Sequence, residues 1–120
     1  MEFIDYLDSR PIYEQIADRY KTLILSGALP PDEQLPSVRK LSMELSTNPN
    51  TIQKAFSVLE RDGFIYTVRG RGNFVRGNDE LKDKKREELK EKLRELFKEA
   101  ETVGIAPEEL IEEVRNDDKA

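Results

Sequence analysis

Neither cysteine nor histidine occurs among the 120 residues. Those two absences remove disulfides, thiolate nucleophiles, Ser-His-Asp and Cys-His dyads, zinc fingers and most transition-metal sites. No apolar run approaches the roughly 20 residues that span a bilayer. The N-terminus is mixed and charged from Glu2, unlike a secretory signal. No nucleophile stands beside a base, and Arg69-Gly70-Arg71-Gly72 is too short and wrongly placed to be a nucleotide fingerprint. The expectation is a non-enzymatic cytoplasmic protein with no cofactor, no metal and no membrane partner. The length leaves room for one domain and an appendage.

Charge of one sign is also scarce where it matters. The chain carries a formal −5, but unevenly. Residues 1–34 hold three basic and seven acidic side chains, residues 78–120 hold ten and fifteen, and residues 35–77 reverse the balance with seven basic and three acidic. A central segment of net +4 between acidic flanks is the footprint expected of a DNA-binding element, with the flanks suppressing indiscriminate binding to phosphate.

Within that segment, Leu35–Phe64 reads as two helices split by a short break. Ser37 is placed to cap the first, and Val38, Leu41 and Leu45 fall on one face of it. Ser46-Thr47-Asn48-Pro49 interrupts the pattern, because residues before proline avoid the α region. Asn48 then caps a second helix with Pro49 in its first turn. Ile52, Ala55, Phe56 and Leu59 form its apolar stripe, Asn50, Gln53, Lys54 and Ser57 point away, and Gly63 supplies the stop. One anchored face and one polar, lightly charged face make a helix-turn-helix with its recognition helix.

The flanks complete this unit. Met1–Arg10 is an arm whose Phe3, Ile4, Tyr6 and Leu7 can dock on the domain. Pro11 opens a helix with Ile12, Ile16, Tyr20, Leu23 and Ile24 on one face, which covers the apolar back of the pair; Gly27 ends it. Ala28–Gln34 is a loop. Phe64–Val68 reads as a strand, Arg69–Gly72 as a turn and Asn73–Arg76 as a short returning strand. Helix, helix, helix, hairpin is the order of a winged helix, with two arginines at the wing tip, where phosphates or the minor groove favour positive charge.

From Asp79 the composition shifts to Glu, Lys, Leu and Arg. Leu89, Leu93, Leu96, Phe97 and Ala100 define an apolar stripe, with Val103 near its end and Gly104 as a stop. Pro107 begins a second helix, carrying Leu110, Ile111 and Val114, with Ile105 placed to staple onto Leu110. Two such helices cannot bury their stripes on each other alone, so a second copy of the chain is the simplest partner. The fold class is therefore mainly α with a small β-hairpin. An arm (1–10) precedes a winged helix-turn-helix (11–76), followed by a two-helix dimerisation tail (79–115) and a frayed end (116–120).

The motifs Pro11–Ile16 (PIYEQI), Leu35–Leu41 (LPSVRKL), Asn48–Phe56 (NPNTIQKAF), Leu59–Ile65 (LERDGFI) and Arg69–Val75 (RGRGNFV) together resemble the DNA-binding module of the GntR family of bacterial transcription regulators. The short tail, with PIYEQI and NPNT, is similar to the small YtrA-like branch. That resemblance implies a two-helix dimerisation tail, and many members of the branch are repressors in ABC-transporter operons. It implies DNA contacts from Arg39, from Asn50, Thr51 and Gln53 in the first turns of the recognition helix, and from Arg69 and Gly70 on the wing. Two positions depart from the common family pattern: Val38 stands where glutamate is usual and Pro49 where arginine is usual, the latter removing a phosphate or guanine contact.

From the residues themselves, Asn50 and Gln53 carry the planar amides that pair bidentately with adenine; an exposed polar face with a helix cap is the competing reading. Lys54 and Arg39 are read as phosphate contacts, Lys40 is left without a role, and Arg69 and Arg71 are the surest DNA charges, since a bare turn has no structural need of them. Tyr66 and Phe74 are read as wing-core residues, and Lys84-Lys85-Arg86 and the acidic pairs of the tail as solvated surface. The expected function is a homodimeric, sequence-specific repressor that binds double-stranded DNA at an inverted-repeat operator. Two alternatives are a switch with a small effector at the dimer interface and a protein-binding adaptor.

Overall fold

The computed structural model describes residues 4–77 and 79–118. In chain order the elements are α1 (Ile12–Leu25), α2 (Val38–Leu45), α3 (Pro49–Arg61), β1 (Ile65–Val68), β2 (Gly72–Val75), α4 (Asp79–Thr102) and α5 (Pro107–Asp118). This is the expected helix, helix, helix, hairpin order with two further helices. The chain divides into two compact units, Met1–Lys82 and Asp83–Ala120. The division falls inside α4, because Leu81 in its first turn packs on the core of the first unit.

Local chemistry sets the helix ends as the residue types demand. Ser37 Oγ accepts from the Lys40 N–H at 3.0 Å, and Asn48 Oδ1 accepts from the Asn50 N–H at 2.8 Å, with Pro49 opening α3. At the end of α3 the Gly63 N–H donates to the Glu60 carbonyl and the Phe64 N–H to that of Leu59, with Gly63 at φ +82. This closed end needs a left-handed residue, which glycine adopts without strain. Gly104 ends α4 by the same pair of bonds, from Gly104 to Glu101 and from Ile105 to Ala100.

The core of the first unit joins the buried Ile16, Ala17 and Tyr20 of α1, Leu41 of α2, Ile52, Ala55, Phe56 and Leu59 of α3, and Ile65 and Val75 of the hairpin. Tyr20 meets Phe56 edge-on, ring centroids 6.1 Å apart. Burial, with the charge of Glu44 second, pushes the Tyr20 phenol up to about 12, so it stays neutral at physiological pH. Phe56 is among the largest fully buried side chains; truncating such a residue costs about 3–5 kcal/mol. α3 is therefore held firmly from behind.

Several sequence expectations are corrected here. In the arm, Ile4 is buried, but Tyr6 and Leu7 are exposed, Leu7 at 97%. The buried Gln15 anchors the arm, its Oε1 accepting the Asp5 N–H at 2.8 Å and its Nε2 donating to the Arg10 carbonyl at 3.0 Å, while Asp5 holds a turn by accepting the Leu7 N–H on Oδ1 and the Asp8 N–H on its carbonyl. Phe3 lies outside the described residues. The end of the expected loop Ala28–Gln34 runs as a strand-like strap beside β2, where Gln34 bridges Phe74 antiparallel, Leu35 N–H donates to the Asn73 carbonyl and Val75 N–H to that of Glu33, each at 2.9 Å. Of the segment 116–120, expected as a frayed end, Asn116–Asp118 continue α5; residues 119 and 120 lie outside the described ones. β1 begins one residue later than expected, at Ile65, and β2 is shifted one residue toward the N-terminus at both ends, running Gly72–Val75.

In the second unit Ala100 and Pro107 are buried and Phe97 and Leu110 half-buried. Leu89, Leu93, Leu96, Ile111 and Val114 remain exposed, Leu93 at 46%.

Candidate nucleic-acid interface

The turn between α2 and α3 is built by hydrogen bonds around Ser46, a serine in the left-handed conformation (φ +51). Its N–H donates to the Met43 carbonyl and the Thr47 N–H to that of Ser42. The buried Ser42 hydroxyl donates to the Thr47 carbonyl, and the Thr47 hydroxyl to that of Leu45 at 3.1 Å. Backbone groups left orphaned by the break are thus satisfied locally, and the start of α3 is held in place.

From this anchored start α3 presents Asn50, Gln53, Lys54 and Ser57, all exposed, while Thr51 is half-buried. The cap of α3 is the side chain of Asn48, so the amide of Asn50 is not used as one. Among the described residues the side-chain amides of Asn50 and Gln53 have no hydrogen-bond partner. Ser57 is different, its hydroxyl donating to the Gln53 carbonyl at 3.0 Å. Lys54 Nζ lies 4.3 Å from the centroid of the Tyr13 ring on α1, a cation–π contact that steers the ammonium along the α1 side of the helix.

On the wing, the register pairs Val68 with Gly72 and Tyr66 with Phe74. The half-buried Tyr66 and Phe74 rings stack at 5.6 Å, and the Tyr66 hydroxyl donates to Asp32 Oδ1 at 2.7 Å. Hydrogen bonding to that carboxylate raises the Tyr66 phenol. At the tip the Arg71 N–H donates to the Val68 carbonyl at 2.9 Å, and Gly70 takes φ +80. Arg69, Gly70 and Arg71 are exposed.

The ion pairs separate the basic residues into two sets. Lys21 pairs with Asp62 at 2.8 Å, Arg61 with the same carboxylate at 3.1 Å, and Lys40 reaches Glu44 at 4.0 Å. Arg61, then Lys21, hold the Asp62 carboxyl below its ordinary range. Arg39, Arg69, Arg71 and Arg76 have no acidic partner among the described residues. Their guanidinium groups keep their full hydrogen-bonding capacity for an external anion. Lys40, which the sequence leaves undecided between a DNA contact and a solvated helix charge, belongs to the first set. Arg76 was missed as a candidate; it lies just past β2, at the end of the hairpin away from the tip. Gln34 and Tyr13 do not stand out in the sequence, since the residues they touch, Arg71 and Lys54, are distant in it.

The predicted contact residues thus lie on three elements of one compact unit: Arg39 on α2, Asn50, Thr51, Gln53 and Lys54 on α3, and Arg69, Gly70 and Arg71 on the wing. The model for bacterial regulatory proteins of the gntR family matches residues 12–75. The transcriptional repressor YtrA of Bacillus subtilis (strain 168) is 42% identical over 114 residues, covering 93% of this chain and 88% of that protein. The crystal structure of a transcriptional regulator from Oenococcus oeni superimposes with a TM-score of 0.78 at 31% identity, covering 100% of both chains. The structure of AraR(DBD) in complex with operator ORE1 matches 60% of this chain and 88% of that one, with a TM-score of 0.54 and 29% identity.

Proposed function

The chain belongs to the gntR family of bacterial regulatory proteins, and from that premise we propose that it is a repressor that binds an inverted-repeat operator as a homodimer. Members of this family are DNA-binding transcription regulators and not enzymes. The observation that carries the reading is the set of arginines that have no acidic partner among the described residues, Arg39 on α2 and Arg69 and Arg71 on the wing, beside the side-chain amides of Asn50 and Gln53 on α3, likewise without a hydrogen-bond partner among them. The arginines set register on phosphates, and the amides read base edges in the major groove. Lys54 adds a phosphate contact on the α1 side, and Thr51, half-buried in the first turn of α3, adds another.

Dimerisation rests on α4 and α5. Leu89, Leu93, Leu96, Ile111 and Val114 are exposed beside the half-buried Phe97 and Leu110 and the buried Ala100, and a second copy burying this face removes apolar area from water. Linking two reading heads makes the second half-site contact intramolecular, which raises affinity without a new contact. YtrA, named as a repressor, is alike over nearly the whole chain, tail included, which supports the same sign of regulation here. Selection of bound sites from random duplex DNA tests the proposal. An inverted repeat with half-sites about one helical turn apart is expected; recovery of unrelated sequences, or of single half-sites only, would refute it.

A further inference from the structure

We propose that Gln34 is a positioning residue for DNA binding, its side-chain amide locking the wing tip so that Arg69 and Arg71 meet the duplex on a preset turn. The proposal rests on the reading of the wing as a DNA contact. Gln34 Nε2 donates to the Arg71 carbonyl at 2.7 Å, across 37 residues of sequence. The Arg71 N–H is already held by the Val68 carbonyl, so both backbone polar groups of this tip residue are fixed. The donor is itself well placed. Gln34 bridges Phe74 antiparallel, and the bonds from Leu35 and Val75 on either side hold the strap against β2. Its side chain runs along β2 toward the tip.

Gly72 makes that path possible. Its φ of +124 is one that side-chain-bearing residues rarely adopt, and a Cβ there would stand 2.9 Å from Gln34 Nε2. Glycine at 72 therefore serves the turn and leaves room for the lock. Without the lock, a tip containing Gly70 and Gly72 would carry more conformational freedom into the free state, and DNA binding would have to remove it. The strap leads within three residues to Ser37, the cap of α2, and two residues later to Arg39, so the lock also relates the wing to the first helix of the reading element.

The test uses the full-length protein. Gln34→Met keeps the stem and removes the donor; Gln34→Glu keeps the shape and places an acceptor against a carbonyl. Each is expected to weaken operator binding about three- to tenfold, the worth of one hydrogen bond at about 1.4 kcal/mol per decade. In a background carrying Arg69→Ala and Arg71→Ala the same changes should have no effect, because the lock acts through those arginines. In the free protein, amide relaxation at Gly70–Gly72 should show increased mobility in Gln34→Met. Equal losses in both backgrounds, an undiminished affinity, or unchanged tip dynamics would overturn the proposal. Absence of any specific complex with the unmodified protein would instead count against the DNA-binding wing, and the relaxation result would still decide the lock.

Discussion

Asn50 sits in the first turn of α3 with its backbone N–H taken by Asn48 and its side-chain amide unpartnered among the described residues. Replacing it by alanine should leave folding unchanged and cost about 1–3 kcal/mol at the cognate base pair, relaxing preference there. Competition binding against operators mutated singly at each position checks this, and an unchanged preference would mean that the amide reads nothing. Asp62 makes a different kind of prediction. Its carboxyl bridges Arg61 and Lys21, and its folded-state pKa lies below the unfolded value. A depressed carboxylate contributes stability above its unfolded pKa of about 3.9, lost as pH falls through the folded value. Asp62→Asn should therefore cost up to about 1 kcal/mol at pH 7, since the group is partly exposed. Urea midpoints of the two proteins should converge as pH falls from about 4; a constant gap would show that the charge is not the cause.

At the scale of elements, the α2–α3 turn and the wing carry opposite demands. The turn spends a strained residue: Ser46 holds φ +51, ψ 46, a conformation that costs most side chains about 1–2 kcal/mol and glycine little. Ser46→Gly is thus expected to stabilise the protein by about 0.5–1 kcal/mol in chemical denaturation, with operator affinity unchanged. The wing instead spends glycines to carry charge at its tip. Removing both Arg69 and Arg71 should weaken binding to all sequences alike and flatten the slope of log affinity against log salt by about 2. A salt series with specific and scrambled duplexes measures it, and an unaltered slope would remove the wing from the interface.

For the whole molecule, the exposed apolar face of α4 and α5 is the feature that a single copy leaves unresolved. α4 is 24 residues long, about 36 Å, and over most of that length its leucines face water. Leu93→Asp should shift sedimentation toward monomer and lower operator affinity by at least tenfold, although residue 93 is far in sequence from every predicted contact. A variant that stays dimeric, or binds undiminished, would place the interface elsewhere. The charge layout belongs to this scale as well. Acidic segments flank the basic one on both sides, so the net −5 leaves the attraction to DNA concentrated on one segment.

Residue types alone determined the order of the elements, the caps at Ser37 and Asn48, the stops at Gly63 and Gly104, and the face of α3 that turns outward. Each of these depends on bonds within a few residues or on a periodicity of 3.6, and both are written locally. Fold and family were legible for that reason, as were the positions of Asn50, Gln53, Arg69 and Arg71. Only the tertiary structure decided that residues 32–35 pair with β2, that Gln34 holds the wing tip, that Lys54 rests on Tyr13, and that Asp62 joins Lys21 to Arg61. Those contacts join segments tens of residues apart. Which donor finds which acceptor there depends on register and on the way the core brings elements together, and neither composition nor local spacing encodes that. The same physics bears on the arm: its apolar residues looked equivalent in sequence, but with Gln15 clamping Asp5 and Arg10 and a turn at Asp5–Asp8, Ile4 is covered while Tyr6 and Leu7 are not.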